Sequence, residues 1–293
     1  MKIKTKVSKE EFKEYQLPST RKQVFFDVLK LHWRSFLVLG FVLIIGTLPL
    51  LACLFVRDNY ALSLSMKLAN GEIDASTRLL YVKYAHLICA FTCWLSLYFL
   101  LIAICIVARI ISKLIWYEPV FFKDDIGLSL KNGYKCGAIC MTFIGLILVI
   151  QSGMLFITDN LFLQIIPGAL FIPFVGLPLL LTFMQSTIYQ GSFLQLFKNS
   201  IAMYLKETLK VLLFGLLLLL PLLFAIIERF LIVKYIFIVA YLFFFENLFI
   251  MMFQLNSNYI FDKYINENQY PEIYKKGLYI QKIKFFGGKS NEI

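Results

Sequence analysis

Six apolar runs dominate this chain, and each has about the 17–25 residues an α-helix needs to cross a bilayer core. They are Ser35–Val56, Ala85–Ala108, Gly137–Ile157, Leu161–Met184, Leu209–Ile227 and Leu231–Phe253. The predicted fold is therefore an all-α polytopic membrane protein with six transmembrane helices, arranged as three helical hairpins. The expected organisation is a cytoplasmic N-terminal segment over 1–34, a six-helix membrane domain over 35–253 and a cytoplasmic aromatic and basic tail over 254–293. At 60% hydrophobic residues, a soluble globular domain is excluded.

Charge sets the orientation. Lys and Arg outside the runs number 22 in alternate segments that include both termini, against 5 in the segments between. Cytoplasmic loops retain positive charge, so both termini should be cytoplasmic. The net charge of +11 sits beside the runs, where anionic lipid headgroups attract it, and nucleic acid is not an expected partner. The first run follows 34 mostly polar residues and exceeds a signal-peptide core, so it reads as an anchor. Richness in Lys, Ile, Phe, Tyr and Asn resembles low-GC bacterial proteins and points to a plasma membrane.

Three stretches that precede outward runs are amphipathic. Thr20 and Gln23 have capping-box spacing, and Gln23, Asp27, Lys30 and Arg34 recur with helical period among apolar residues. A second stretch has Asp124 or Asp125 as cap, with Ile126, Leu130 and Tyr134 on its apolar side. A third places Phe193, Phe197, Ile201 and Tyr204 or Leu205 opposite Gln195, Lys198, Ala202 and Lys206. Short links at Asp159-Asn160 and Glu228-Arg229-Phe230 force antiparallel neighbours. The segment Arg57 to Tyr84 reads as an outer loop with room for one short helix and a turn at Asn70-Gly71.

Proline interrupts several runs, at Pro49, Pro167, Pro173, Pro178 and Pro221. Each removes a backbone donor and kinks a helix. Such kinks line substrate sites in transporters, but they more commonly serve helix packing. Gly133, Gly137 and Gly145 share one helix face, which predicts a close helix approach.

Reactive chemistry is thin. There is no HExxH pair and no GxSxG turn, and Gly287-Gly288-Lys289-Ser290 lacks the first glycine of a phosphate loop. No catalytic residue, metal site or cofactor is expected. The cysteine pairs Cys89/Cys93 and Cys136/Cys140 fall in opposite leaflets and cannot form one zinc site. Cys53 and Cys89 approach the same face, where they read as small buried residues or a disulfide. The candidate intramembrane polar site is Glu246 with Asn247, about 10 Å from the inner end of the last run. Placing an acid there costs on the order of 2–3 kcal/mol. It reads either as a proton or cation site or as an interhelical hydrogen bond to Gln151 or Thr182.

The segment Asn256 to Leu278, with Leu48-Pro49 late in the first run and the LKN and FKNS segments before outward runs, resembles YesL-like bacterial integral membrane proteins. The resemblance implies no catalytic residues. Genes of such proteins often lie near those for carbohydrate ABC transporters, so it implies ABC transporter components as partners. In the tail, Phe261, Tyr264, Tyr270, Tyr274 and Tyr279 alternate with Lys263, Lys275, Lys276 and Lys282, and Pro271 suits the first turn of a short helix. Such a tail can contact a lipid surface or a cytoplasmic partner. The expected function is a non-enzymatic accessory or regulator of carbohydrate uptake. The alternative is an autonomous transporter or channel for a small solute, using the kinked helices and Glu246.

Overall fold

The computed structural model describes residues 17–218 and 231–279, and among these the chain is all-helical with no strand. Helix α1 (Arg21–Ala69) begins with the expected reciprocal cap. The Thr20 hydroxyl accepts the Gln23 N–H at 3.3 Å, and Gln23 Oε1 accepts the Thr20 N–H at 3.2 Å. Its backbone leaves helical geometry at His32 (φ −121°, ψ 22°), next to the boundary between the amphipathic stretch and the apolar run. Pro49 sits inside the same helix without such a lapse.

The expected outer loop is mostly helix. Helix α1 runs on to Ala69, α2 (Ala75–Ile115) starts after residues 70–74, and only the Asn70-Gly71 turn signal holds, with Gly71 at φ 75°. The residues of this segment are largely competent helix formers, and Asp74 caps α2 by accepting the Thr77 N–H at 3.4 Å. Helix α3 (Phe122–Ile157) joins its amphipathic start to its apolar run without interruption. Its N-cap is Phe121 rather than the expected Asp124 or Asp125; Asp125, inside the first turn, reaches back to accept the Phe121 N–H at 2.9 Å.

The proline-rich run is split into α4 (Leu161–Phe171), a π-helical turn (Ile172–Gly176) and α5 (Leu177–Ile188). Pro173 falls in the π turn and Pro178 in the first turn of α5, positions where a missing N–H is most easily absorbed, while Pro167 stays inside α4. Then follow α6 (Phe193–Lys206), α7 (Thr208–Leu218), α8 (Leu231–Phe244) and α9 (Glu246–Phe261), the last continued by a π turn (Asp262–Asn266).

Among the described residues, four helical stretches are long and apolar enough to cross a membrane: α1, α2, the apolar part of α3, and α4 through α5. The pair α8 and α9, bent by 46°, makes a fifth if it is one span. The fifth run of the sequence, Leu209–Ile227, is described only as far as α7. Pro221 and the Glu228-Arg229-Phe230 link lie outside the described residues. Large apolar side chains such as Phe41, Ile45, Leu95, Phe99 and Ile236 stand exposed along these helices. That outward apolar surface is what a lipid-facing bundle presents.

Helix α2 lies at the centre, against α1, α3, α5 and α9, with Leu101, Val107, Ile110, Ile111 and Ile115 fully buried. The predicted glycine face is where α3 closes on α2. A Cβ on Gly137 would stand 2.4 Å from Leu101 Cδ1, and one on Gly145 would stand 1.9 Å from Trp94 Cδ1. Gly145→Ala should therefore destabilise the bundle by about 1–3 kcal/mol through overpacking. The check is the thermal midpoint of the detergent-solubilised protein, with Gly153→Ala, which meets nothing within 4 Å, expected to leave it unchanged.

Candidate functional site

Charged residues from distant parts of the chain converge at the end of the bundle where α1 starts and α9 ends. Asp262 is the junction. Its Oδ2 accepts from Arg21 Nη2, while its Oδ1 accepts Asn266 Nδ2 at 2.8 Å and the Lys275 N–H at 3.2 Å. Asn266 Oδ1 in turn accepts the Tyr189 hydroxyl at 2.5 Å. One carboxylate thus ties the first turn of α1, the end of α9 and the returning tail, and through Asn266 the end of α5.

Two further carboxylates complete this collar. Glu207, between α6 and α7, binds Lys263 at 2.7 Å and Lys210 at 2.9 Å, and accepts the Tyr264 hydroxyl at 3.2 Å. Asp125, almost wholly buried, faces Lys113 at 2.6 Å and Arg109 at 3.9 Å. The tail is closed down by Lys276, which pairs with Glu118 at 2.6 Å and lies over the Trp116 ring. Tyr279 N–H donates to the Pro18 carbonyl at 3.0 Å.

The tail is therefore docked on the bundle rather than free. Phe261 is fully buried, and the Tyr189 ring packs between Phe261 and Tyr270, with centroids 5.7 and 5.3 Å away. Pro271 opens a series of turns rather than a short helix, closed by Gly277 at φ 82°. A Cβ there would stand 2.4 Å from the Ile115 carbonyl oxygen, so the left-handed turn and the close approach both require glycine. Lys282 lies outside the described residues.

Helix α6 keeps its expected polar side, Gln195, Lys198, Ala202 and Lys206, exposed, and its expected apolar side packs on the core at Tyr204, Phe193 and Phe197, with the most buried line shifted toward Leu196 and Met203. Leu196, Ser200, Met203 and Tyr204 are buried, while Phe193 and Phe197 stack on each other at 5.6 Å and Leu205 is exposed. The buried side faces α5, and small Ser200 sits there among the larger apolar residues. Gln185 Nε2 donates to Ser200 Oγ at 2.9 Å inside that interface. The Lys234 side chain is buried at the opposite end of the bundle, where it pairs with Asp58 at 2.5 Å. Asp58 also holds Arg57 at 2.6 Å and accepts the Tyr235 hydroxyl at 3.1 Å.

The intramembrane polar residues are held at separate points. Glu246 begins α9 immediately after the bend, and its Oε2 is buried without a hydrogen-bond partner. Asn247 Nδ2 donates to the Phe36 carbonyl of α1 at 3.1 Å. Gln151 bridges α3 to α4, donating to the Gln164 carbonyl and accepting the Gly168 N–H at 2.9 Å. Thr182 donates to Pro178 within its own helix at 2.7 Å. All six cysteines are free; Cys89 Sγ faces the Cys53 carbonyl at 3.8 Å and Cys93 Sγ at 3.6 Å.

Sequence reading missed a buried polar stripe on α9 and its π turn, made by Gln254, Ser257, Asn258, Asp262 and Asn266. The signal was there: these residues recur at three- and four-residue spacing directly after an apolar run. Also at the collar is a groove of about 760 Å³ between the start of α1, α7, α9 and the tail.

Comparison with protein-family models, curated proteins and solved structures finds no match. Among the described residues the fold defines the class: all-helical, with four to five helices long and apolar enough to span a membrane and a built charged collar at one end.

The collar carries a pH dependence. Hydrogen bonds from Lys263, then from Lys210, hold the Glu207 carboxyl at about 2, below its ordinary value of 4.5. A depressed acid stabilises the folded form above its unfolded value, and that contribution is lost as pH falls through the folded value. Tail protection in hydrogen exchange should hold near neutrality, weaken below about 4.5 and reach a floor near 2. Glu207→Gln should remove that part of the acid response, and added salt should reduce it because Lys263 is half exposed.

Proposed function

We propose that this chain is a non-enzymatic, six-span protein of the cell membrane that assists or regulates carbohydrate uptake through a partner bound at its collar. In this reading the spans form three hairpins, Leu209–Ile227 is the fifth span and both termini are cytoplasmic. The charge bias of the sequence supports that orientation. The resemblance to YesL-like proteins supports the link to uptake and makes ABC transporter components the favoured partners. The observation that carries the reading is the fixed collar. Because Asp125, Glu207 and Asp262 hold inner basic residues in place, the exposed Lys123, Lys198 and Lys206 are presented on a structured surface. Electrostatic complementarity on such a surface selects partners and speeds encounter.

Gentle solubilisation of native membranes followed by affinity purification of the full chain tests this directly. A transporter component should co-purify, and reversing Lys123, Lys198 and Lys206 to Glu should weaken its recovery about fivefold or more. Recovery of no partner from membranes that contain the folded chain would overturn the reading.

A second reading has its own support in Glu246 Oε2, buried without a partner at the bend between α8 and α9. An ionisable group there fits a proton or cation site in an autonomous transporter or channel. On that reading, Glu246→Gln abolishes solute uptake by reconstituted vesicles; unchanged uptake in a folded variant rules it out.

A further inference from the structure

The collar groove is graded from apolar to polar along one direction. By their places in the helices, Phe214 and Met252 line its deeper part, Leu255, Asn256 and Phe26 its middle, and Arg21, Lys22 and Lys275 its collar end. From Met252 to Lys263 the α9 axis rises about 16 Å, roughly the depth of one leaflet's hydrocarbon. Phe26 and Tyr259 are more than two-fifths exposed, so the groove is open on its flank.

Two donors in this lining lack acceptors. Arg21 uses Nη2 on Asp262, but its Nη1 is buried without a partner, and Asn256, only 9% exposed, has Nδ2 in the same condition. A buried donor without an acceptor is costly, and native structures rarely leave one. Lys22 and Lys275 stand exposed at the rim, Lys275 with its ammonium 4.8 Å from the Tyr274 ring. The acids in the lining are Asp262, already neutralised by Arg21, and Glu267, so the balance at the polar end is positive.

We propose that this groove is a binding site for one anionic phospholipid of the surrounding bilayer. An acyl chain lies along Phe26, Phe214, Met252 and Leu255. The phosphate takes the polar end, between Lys22 and Lys275, where a small turn of the Arg21 and Asn256 side chains gives their unpaired N–H groups an acceptor. Charge complementarity and the apolar-to-polar gradient together select an amphiphile over a soluble anion, which has no use for the apolar half. The proposal rests on the reading that the chain spans a membrane with its collar at the cytoplasmic surface. It goes beyond general headgroup attraction by naming one site and the groups that hold the lipid.

Native mass spectrometry of the full chain in detergent, with equimolar phosphatidylglycerol and phosphatidylcholine of matched acyl chains, tests it. One phosphatidylglycerol should be retained with about tenfold preference, and Lys22→Ala with Lys275→Ala should reduce that preference several-fold. Leu255→Trp, which fills the apolar half, should lower retention of both lipids. Should that variant fail to fold, the exposed lysine pair still decides the outcome. Equal retention of the two lipids, an unaffected lysine double variant, displacement by millimolar inorganic phosphate, or a bound polypeptide in place of lipid would each overturn the site. Whether the chain stays in the membrane pellet after alkaline carbonate washing, and whether a partner co-purifies, are measured separately, so the lipid site can fail while the membrane and partner readings stand.

Discussion

The Asp262 carboxylate closes the molecule on itself. It comes from a π turn that α9 adopts on leaving the core, and this places Asp262 and Asn266 together on one side of the helix. From there it collects a guanidinium from the first turn of α1 and a backbone N–H from the tail, groups separated by most of the chain. A buried carboxylate is tolerated only when its oxygens are met by such donors, and removing one partner of a buried pair typically costs about 3–5 kcal/mol. The amphipathic start of α1, the tail and the groove between them all take their positions from this junction. The turn at Gly277, pressed on the Ile115 carbonyl, then lets the tail return to meet Pro18.

How much was legible in the sequence follows the range of the physics involved. The Thr20–Gln23 cap and the Asn70-Gly71 turn are local signals, and both read correctly. The glycine face of α3 also read correctly, because three small residues on one face admit a close neighbour wherever the rest of the fold lies. The segment Arg57 to Tyr84 reads as a loop with room for one short helix because it lies between apolar runs, whereas its residues' propensities permit helix on both sides of residues 70–74. The break at Phe245 carries neither proline nor glycine and could not be found from local rules. The aromatic and basic pattern of the tail is legible in the sequence, but the groups it docks on are not. Lys263, Lys275 and Lys276 acquire their meaning from Glu207, Asp262 and Glu118, which lie elsewhere in the chain.

The polar contact between α5 and α6 and the stripe on α9 share one cause. In water an apolar stripe marks the side of a helix that packs inward. In lipid the same stripe costs nothing to leave outside, and packing is decided by close backbone approach and by hydrogen bonds between helices. Gln185 with Ser200 joins α5 to α6 by that rule at the collar end, while Gln254 donates to Asn258 within α9 itself. Several of these side chains keep a buried atom without a partner, among them Gln185 Oε1 and Gln254 Oε1. The polar interior is thus concentrated where the bundle meets the groove.

Helices α8 and α9 are constrained at three points, and their bend follows from that. At one end Lys234 is drawn to Asp58, and at the other Asp262 is drawn to Arg21; both acceptor and donor partners belong to α1 or its first turn. Between them α1 presents Gly40, where a Cβ would come within 2.5 Å of the Phe243 carbonyl oxygen, and the Phe36 carbonyl takes Asn247 Nδ2. The two helices are therefore held along α1 by ion pairs at both ends and by a close contact near the middle. A straight helix has to satisfy all three with one axis, whereas a bent pair can align each half with its own anchor. The break at Phe245 falls between the Gly40 and Phe36 contacts, which places Glu246 at the bend as a consequence of how α8 and α9 are tied to α1.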